Sequence, residues 1–275
     1  MAYQDDQAAR PLPRLVLYGD HHSEIDRAIL NILNTCVGPP YGLLGDASVA
    51  LDNLRPSRRH QHLGENLESD STFLRGFWRT FLELVSQIPC DDPAQGYLVM
   101  LIKDLRTLPP SNTSGMSFWR HLPGLQIGIK DIWCEPTRYE YDHQVYEQWI
   151  NLNAFASRLY FNDLAECYGL GIRAMRRAFE HDQPQDNMFM NCRVKAAAQW
   201  MFYSADKLFS LMTTCRPTEK DQFDHLSPLF YGIVVFSLDR WAFWKKSFRN
   251  LSGATRDDAG TAVANMDRAD GGRPV

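Results

Sequence analysis

An all-α fold is predicted for this chain by three observations. Apolar residues recur at three- and four-residue spacing along most of its 275 residues. Capping residues, prolines and glycines punctuate these stretches at their ends. No series of alternating, period-two segments is present: residues 229–236 are the one β-like run, and a lone strand makes no sheet. The expected architecture is a single compact multi-helix domain with an irregular N-terminal region and a disordered C-terminal tail. Residues 1–13 read as a flexible arm, 14–252 as the helical domain, and 253–275 as a disordered tail dispensable for folding.

The first helix is set by Ser23 and Asp26, a Ser-x-x-Asp start ahead of Ile25, Ala28, Ile29, Ile32, Leu33 and Cys36. Gly38-Pro39-Pro40 stops it. Residues 38–68 mix Gly, Pro, Arg, His and Asn and read as an irregular connection with room for a short helix; Arg55-Pro-Ser-Arg58-Arg59-His60 reads as a solvated loop. Phe73, Phe77, Phe81, Leu84, Val85 and Ile88 share a face of the next helix. Pro93 suits the first turn of another, with Tyr97, Leu98, Leu101, Ile102 and Leu105 inward. A short helical turn is expected through Ile127, Ile129 and Ile132, then a long helix from about Arg138 to Phe161. Asp163 and Glu166 read as an Asp-x-x-Glu start for the helix carrying Leu164, Tyr168, Ile172, Met175 and Phe179. The helix holding Trp200 follows, closed by Arg216-Pro217, and the last begins at Ser237.

The net charge of −4 argues against an extensive basic nucleic-acid surface. The cysteines, Cys36, Cys90, Cys134, Cys167, Cys192 and Cys215, form no C-x-x-C and read as buried thiols of a reducing compartment. The polar N-terminus is no secretory signal, and the longest apolar stretch is about half the roughly 20 residues of a membrane span. A soluble, cytoplasmic protein with no membrane span is expected.

Five segments carry a resemblance: Trp119-Arg-His-Leu-Pro123, Trp149-Ile-Asn-Leu-Asn-Ala-Phe-Ala-Ser-Arg-Leu159, Arg177-Ala-Phe-Glu180, Ala196-Ala-Ala-Gln-Trp200 and Phe236-Ser-Leu-Asp-Arg-Trp-Ala-Phe-Trp-Lys245. In this order, over roughly residues 70–250, the chain resembles an uncharacterised fungal family built on a domain of unknown function. The resemblance implies no general activity. Some members of that family lie near secondary-metabolite genes, a setting that includes cofactor-free cyclases.

Most motif-borne chemistry is excluded. His21-His22 and His60-x-His62 lack the helical spacing and further ligand of a zinc site. Asp91-Asp92 and Asn162-Asp163-Leu164 lack the stacked carboxylates that would neutralise a diphosphate through magnesium. There is no G-x-S-x-G, no dinucleotide fingerprint and no P-loop. Gly169-Leu-Gly171 reads as a place of close helix packing. No metal and no cofactor are expected.

What remains is aromatic surface with a few polar groups. Val145, Trp149, Leu152, Ala156 and Leu159 form one stripe of the long helix, with Asn153 at its margin. Trp119, Trp133, Trp149, Trp200 and Trp241 are candidates to line a cavity for a hydrophobic small molecule. Tyr203, Asn153 and His121 are the candidate catalytic donors. One reading is a cofactor-independent, Diels–Alder-type cyclase acting on a terpenoid or polyketide intermediate, in which the pocket folds the substrate into a reactive conformer. The competing reading is a non-catalytic helical module that binds a protein or small ligand. A connected cavity with convergent donors favours the first; a filled core beside an open apolar groove favours the second.

Overall fold

Short polar side chains start five of the helices by accepting a hydrogen bond from an otherwise unpaired N–H of the first turn. In a computed structural model of the chain, Ser23 caps α1 (Glu24–Val37) in a full capping box with Asp26. Ser69 caps α3 (Asp70–Val85), Asp92 caps α4 (Pro93–Thr107), Asp142 caps α6 (His143–Phe161) and Ser237 caps α9 (Leu238–Arg249). The remaining helices are α2 (Leu44–Asp52), α5 (Leu125–Ile132), α7 (Tyr168–Phe179), α8 (Asn187–Thr214) and α10 (Arg256–Ala269). The structure describes residues 14–38, 44–59, 68–110, 117–137, 139, 142–181, 187–214 and 235–272, and among these there is no strand. The arm at 1–13, the Pro39-Pro40 stop, most of the β-like run and the Arg216-Pro217 stop lie outside the described residues.

The fold is all-α, as the periodicity requires. Helices α6 and α8 form its principal interface, and α10 packs on α8. One apolar core runs through α1 to α10, with Phe73, Phe77, Trp78, Phe81, Phe155, Trp200 and Phe248 almost wholly buried. Side-chain bonds set how the helices meet. The Thr80 hydroxyl donates to Asp26 and ties α3 to α1. Ser204 Oγ donates to the Ser157 carbonyl at 2.8 Å, joining α8 to α6 where α8 leaves helical geometry. No helix among the described residues is long and apolar enough to cross a membrane.

Three local expectations are corrected. The long helix starts at His143, after the Asp142 cap. Asp163 does not start α7: its φ of 56° is left-handed, and the helix begins at Tyr168. The 38–68 connection does hold a short helix, α2, as allowed for, and a 3₁₀ turn, Pro56–Arg58, but Arg55 is not solvated. Its Nε lies 2.7 Å from the Asp52 carboxylate, and its guanidinium sits 4.5 Å over the Phe118 ring.

The largest correction is at the C-terminus, where the expected disordered tail folds as α10. Ala259, Ala262 and Met266 are buried, which the small, polar composition concealed. Lys245, fully buried on α9, donates to Asp270 at 2.8 Å and pairs with Asp267. A buried ammonium requires such partners, so α10 completes the charge balance of α9.

Candidate functional site

A groove of about 660 Å³ opens between α3 and α6. From α3 and its C-cap come Thr72, Arg75, Gly76, Arg79, Glu83 and Ser86, whose spacing of three, four and seven residues places them on the face opposite the Phe73–Phe77–Phe81 stripe. From α6 come Val145, Gln148, Trp149 and Leu152, again one helical face. The C-terminal end of α5 adds Gly128, Asp131 and Ile132, and Cys134 follows.

Close packing of α5 on α3 shapes this groove. A Cβ on Gly128 would stand 2.8 Å from Trp78 Cβ, so only glycine permits the approach. The Trp78 indole donates to the Pro123 carbonyl at 2.7 Å and holds the turn that enters α5. The floor is apolar: Trp149 and Leu152 are about 5 % and 4 % exposed, and Val145 and Ile132 are half-buried. The rim carries both signs of charge. Arg75 and Asp131 have no ion-pair partner among the described residues, while Arg79 Nε lies 3.9 Å from Glu83. Burial raises the Glu83 carboxyl above its ordinary range, and Arg79 only partly opposes this.

The residues expected to form an aromatic cavity are instead mostly core. Trp119 is fully buried against Phe77, Trp78 and Phe118, and its indole donates to Asp52 at 2.7 Å. Trp241 is buried and donates to Asp270 at 2.9 Å. Trp200 is fully buried and donates to Asn153 Oδ1 at 2.9 Å. Trp133 and Trp149 pack with ring centroids 4.4 Å apart; Trp133 also donates to Asn153, and of the five tryptophans Trp149 alone borders the groove.

Nor do the three expected donors converge. Asn153 is 0 % exposed; besides two indole N–H groups it has its own amide donating to the Trp149 carbonyl, so it is a staple among three tryptophans. Tyr203 faces away from them. It is half-buried, its hydroxyl donates to the Cys90 carbonyl at 3.2 Å, and the Arg158 guanidinium covers its ring at 3.6 Å. Burial raises the Tyr203 phenol above its ordinary value against the opposing charge of Arg158. His121 is exposed in a separate concavity with Arg106 and Arg120. The physical reason is general: a buried indole or amide must satisfy its polar atoms internally, and sequence spacing does not reveal whether the partner is protein or ligand.

Sequence reasoning named Val145, Trp149 and Leu152 but missed Arg75, Arg79, Asp131, Gln148 and Cys134. A polar helix face that borders a groove has the same spacing as one facing open water, so no signal distinguishes them. Cys134 is exposed and Cys90 half-buried, which corrects the reading of every thiol as buried; Cys36, Cys167 and Cys192 are buried. Among the described residues no group of three or more His, Cys, Asp or Glu side chains could hold a metal ion.

The chain belongs to the family described as "Protein of unknown function (DUF3632)", whose profile matches residues 78–248. That span runs from Trp78 on α3 to Phe248 on α9 and takes in the α5 and α6 sides of the groove. No curated protein and no solved structure matches the chain.

Proposed function

We propose that this member of the family is a non-catalytic helical module that receives a hydrophobic small molecule in the groove between α3 and α6. One observation carries the reading: the aromatic core is filled and internally hydrogen-bonded, while Val145, Trp149, Leu152 and Ile132 present apolar surface in an open concavity. Its volume falls within the roughly 300–1,000 Å³ of small-molecule sites. The apolar floor supplies affinity by removing ligand surface from water, and Arg75, Asp131 and Gln148 are placed to orient polar groups at the rim. None of Tyr203, Asn153 and His121, the donors on which the cyclase reading drew, lines this groove.

The test uses the neutral dye Nile red, whose emission brightens in apolar surroundings. Saturable binding of one dye per chain is expected, with protection of the exposed Cys134 thiol from alkylation. Val145→Lys, which puts an ammonium on the floor, should weaken binding about tenfold or more while leaving the thermal melt near that of the parent chain. Equal binding by the parent and Val145→Lys, or dye binding without protection of Cys134, would overturn the assignment.

A further inference from the structure

The Trp119–Pro123 segment, prominent in the sequence, does not line the groove. It shapes a second concavity of about 500 Å³, lined by Arg106, Arg120, His121, Leu122, Asp163 and Leu164. The geometry points to a phosphate-binding site here, taking a small phosphomonoester through Arg106 and Arg120.

The charge balance of the site is the first argument. Arg120 and His121 have no partner among the described residues, and Arg106 donates to the Asp163 backbone carbonyl, not to a carboxylate. The one lining carboxylate, Asp163, is already paired with Lys207 at 2.5 Å. Arg106 and Arg120 therefore line a concavity whose one carboxylate is engaged by Lys207, leaving an excess of positive charge in a chain whose net charge is −4. A guanidinium fork donates two parallel N–H groups to a tetrahedral oxyanion, and arginine keeps its charge at any physiological pH.

Rigidity is the second argument. Leu122 and Asp163 are the two non-glycine residues with positive φ among those described, at 46° and 56°, and both line this concavity. A left-handed leucine is disfavoured, so its surroundings must hold it. They do so from both sides. Trp119 anchors the turn through its bond to Asp52, and Trp78 anchors it through the Pro123 carbonyl. The Leu122 side chain is buried beneath, which leaves Arg120 and His121 displayed outward on a pinned turn. Across the concavity, Lys207 and Arg106 hold the Asp163 turn by side chain and backbone. Such a site loses little freedom when it binds.

The volume exceeds that of inorganic phosphate alone and leaves room for a small organic portion. The overall negative charge opposes a long polyanion.

The test is calorimetric titration of the full chain with phenyl phosphate at fixed ionic strength, with benzyl alcohol as the uncharged control. Binding of one phenyl phosphate per chain is expected, with none for benzyl alcohol. Arg120→Gln and Arg106→Gln, both at exposed positions, should each weaken it about tenfold. Val145→Lys and Arg75→Gln in the α3–α6 groove should leave it unchanged, which separates this site from that one. Equal phenyl phosphate affinity in the parent and arginine variants would overturn the proposal. So would binding confined to phosphatidic acid vesicles, which would assign the basic patch to a membrane surface.

Discussion

Asn153→Leu tests whether that residue is a staple or a ligand contact. The substitution keeps the side chain near its original size and removes its one acceptor. Trp200 Nε1 then has no partner, and at 0 % exposure it cannot reach water; this costs about 1–3 kcal/mol. Trp133 loses the same acceptor, but at 8 % exposure and a longer 3.3 Å bond its loss lies near the lower end of that range. Burying an apolar group in place of an amide returns about 1 kcal/mol. The expected net destabilisation is about 1–3 kcal/mol, read as a lower urea midpoint at unchanged slope. Trp200→Phe removes the main donor as well. In the Asn153→Leu background it should cost less than alone, with a coupling of about 1–2 kcal/mol. Additive effects, or a near-neutral Asn153→Leu that abolishes Nile red binding, would refute the staple and return Asn153 to the ligand site.

Two glycines of α7 should respond with opposite sign. A Cβ on Gly171 would stand 2.7 Å from the Trp200 ring, which its bond to Asn153 holds in place, so Gly171→Ala should destabilise by about 1–2 kcal/mol; Gly169 has open space, and Gly169→Ala should stabilise by up to about 1 kcal/mol in the same urea melts. Removal of residues 253–275 should lower the melting temperature markedly or cause aggregation, because it uncovers Trp241 and leaves Lys245 without its carboxylates; an unchanged cooperative melt would contradict the role of α10. Asp270 should contribute to acid sensitivity. Burial alone would raise its carboxyl, but hydrogen bonds from Lys245 and Trp241 outweigh this and hold it below the ordinary value near 3.8. Its stabilisation is thus present above the unfolded value and lost as pH falls through the lower folded value, so the acid limb of a pH–stability curve should flatten in Asp270→Asn. Among the described thiols, iodoacetamide should modify exposed Cys134 first. Burial pushes Cys36 up to about 11 and Cys167 and Cys192 up to about 12, so mass spectrometry should find these three unmodified until the chain unfolds.

By itself the sequence determined the helical class, the starts of α1, α4 and α9 and many of the inward faces, because these depend on near neighbours. Ser23 caps α1 through Asp26 three residues on, and Phe73, Phe77 and Phe81 share a face whatever they pack against. It also located the resemblance that the family profile bears out over residues 78–248. Only the tertiary structure decided which polar atoms meet protein and which border an open concavity. Trp149 and Trp200 look alike in sequence, both bulky aromatics on helices with polar neighbours. One borders a groove because α5 sits close against α3 across Gly128; the other is sealed because α6 brings Asn153 to its indole. The same holds for α10, where Asp270 has meaning only beside Lys245, twenty-five residues away on another helix. Local spacing fixes the direction a side chain takes from its own helix, whereas its partner is set by long-range packing that the period of a single helix does not encode.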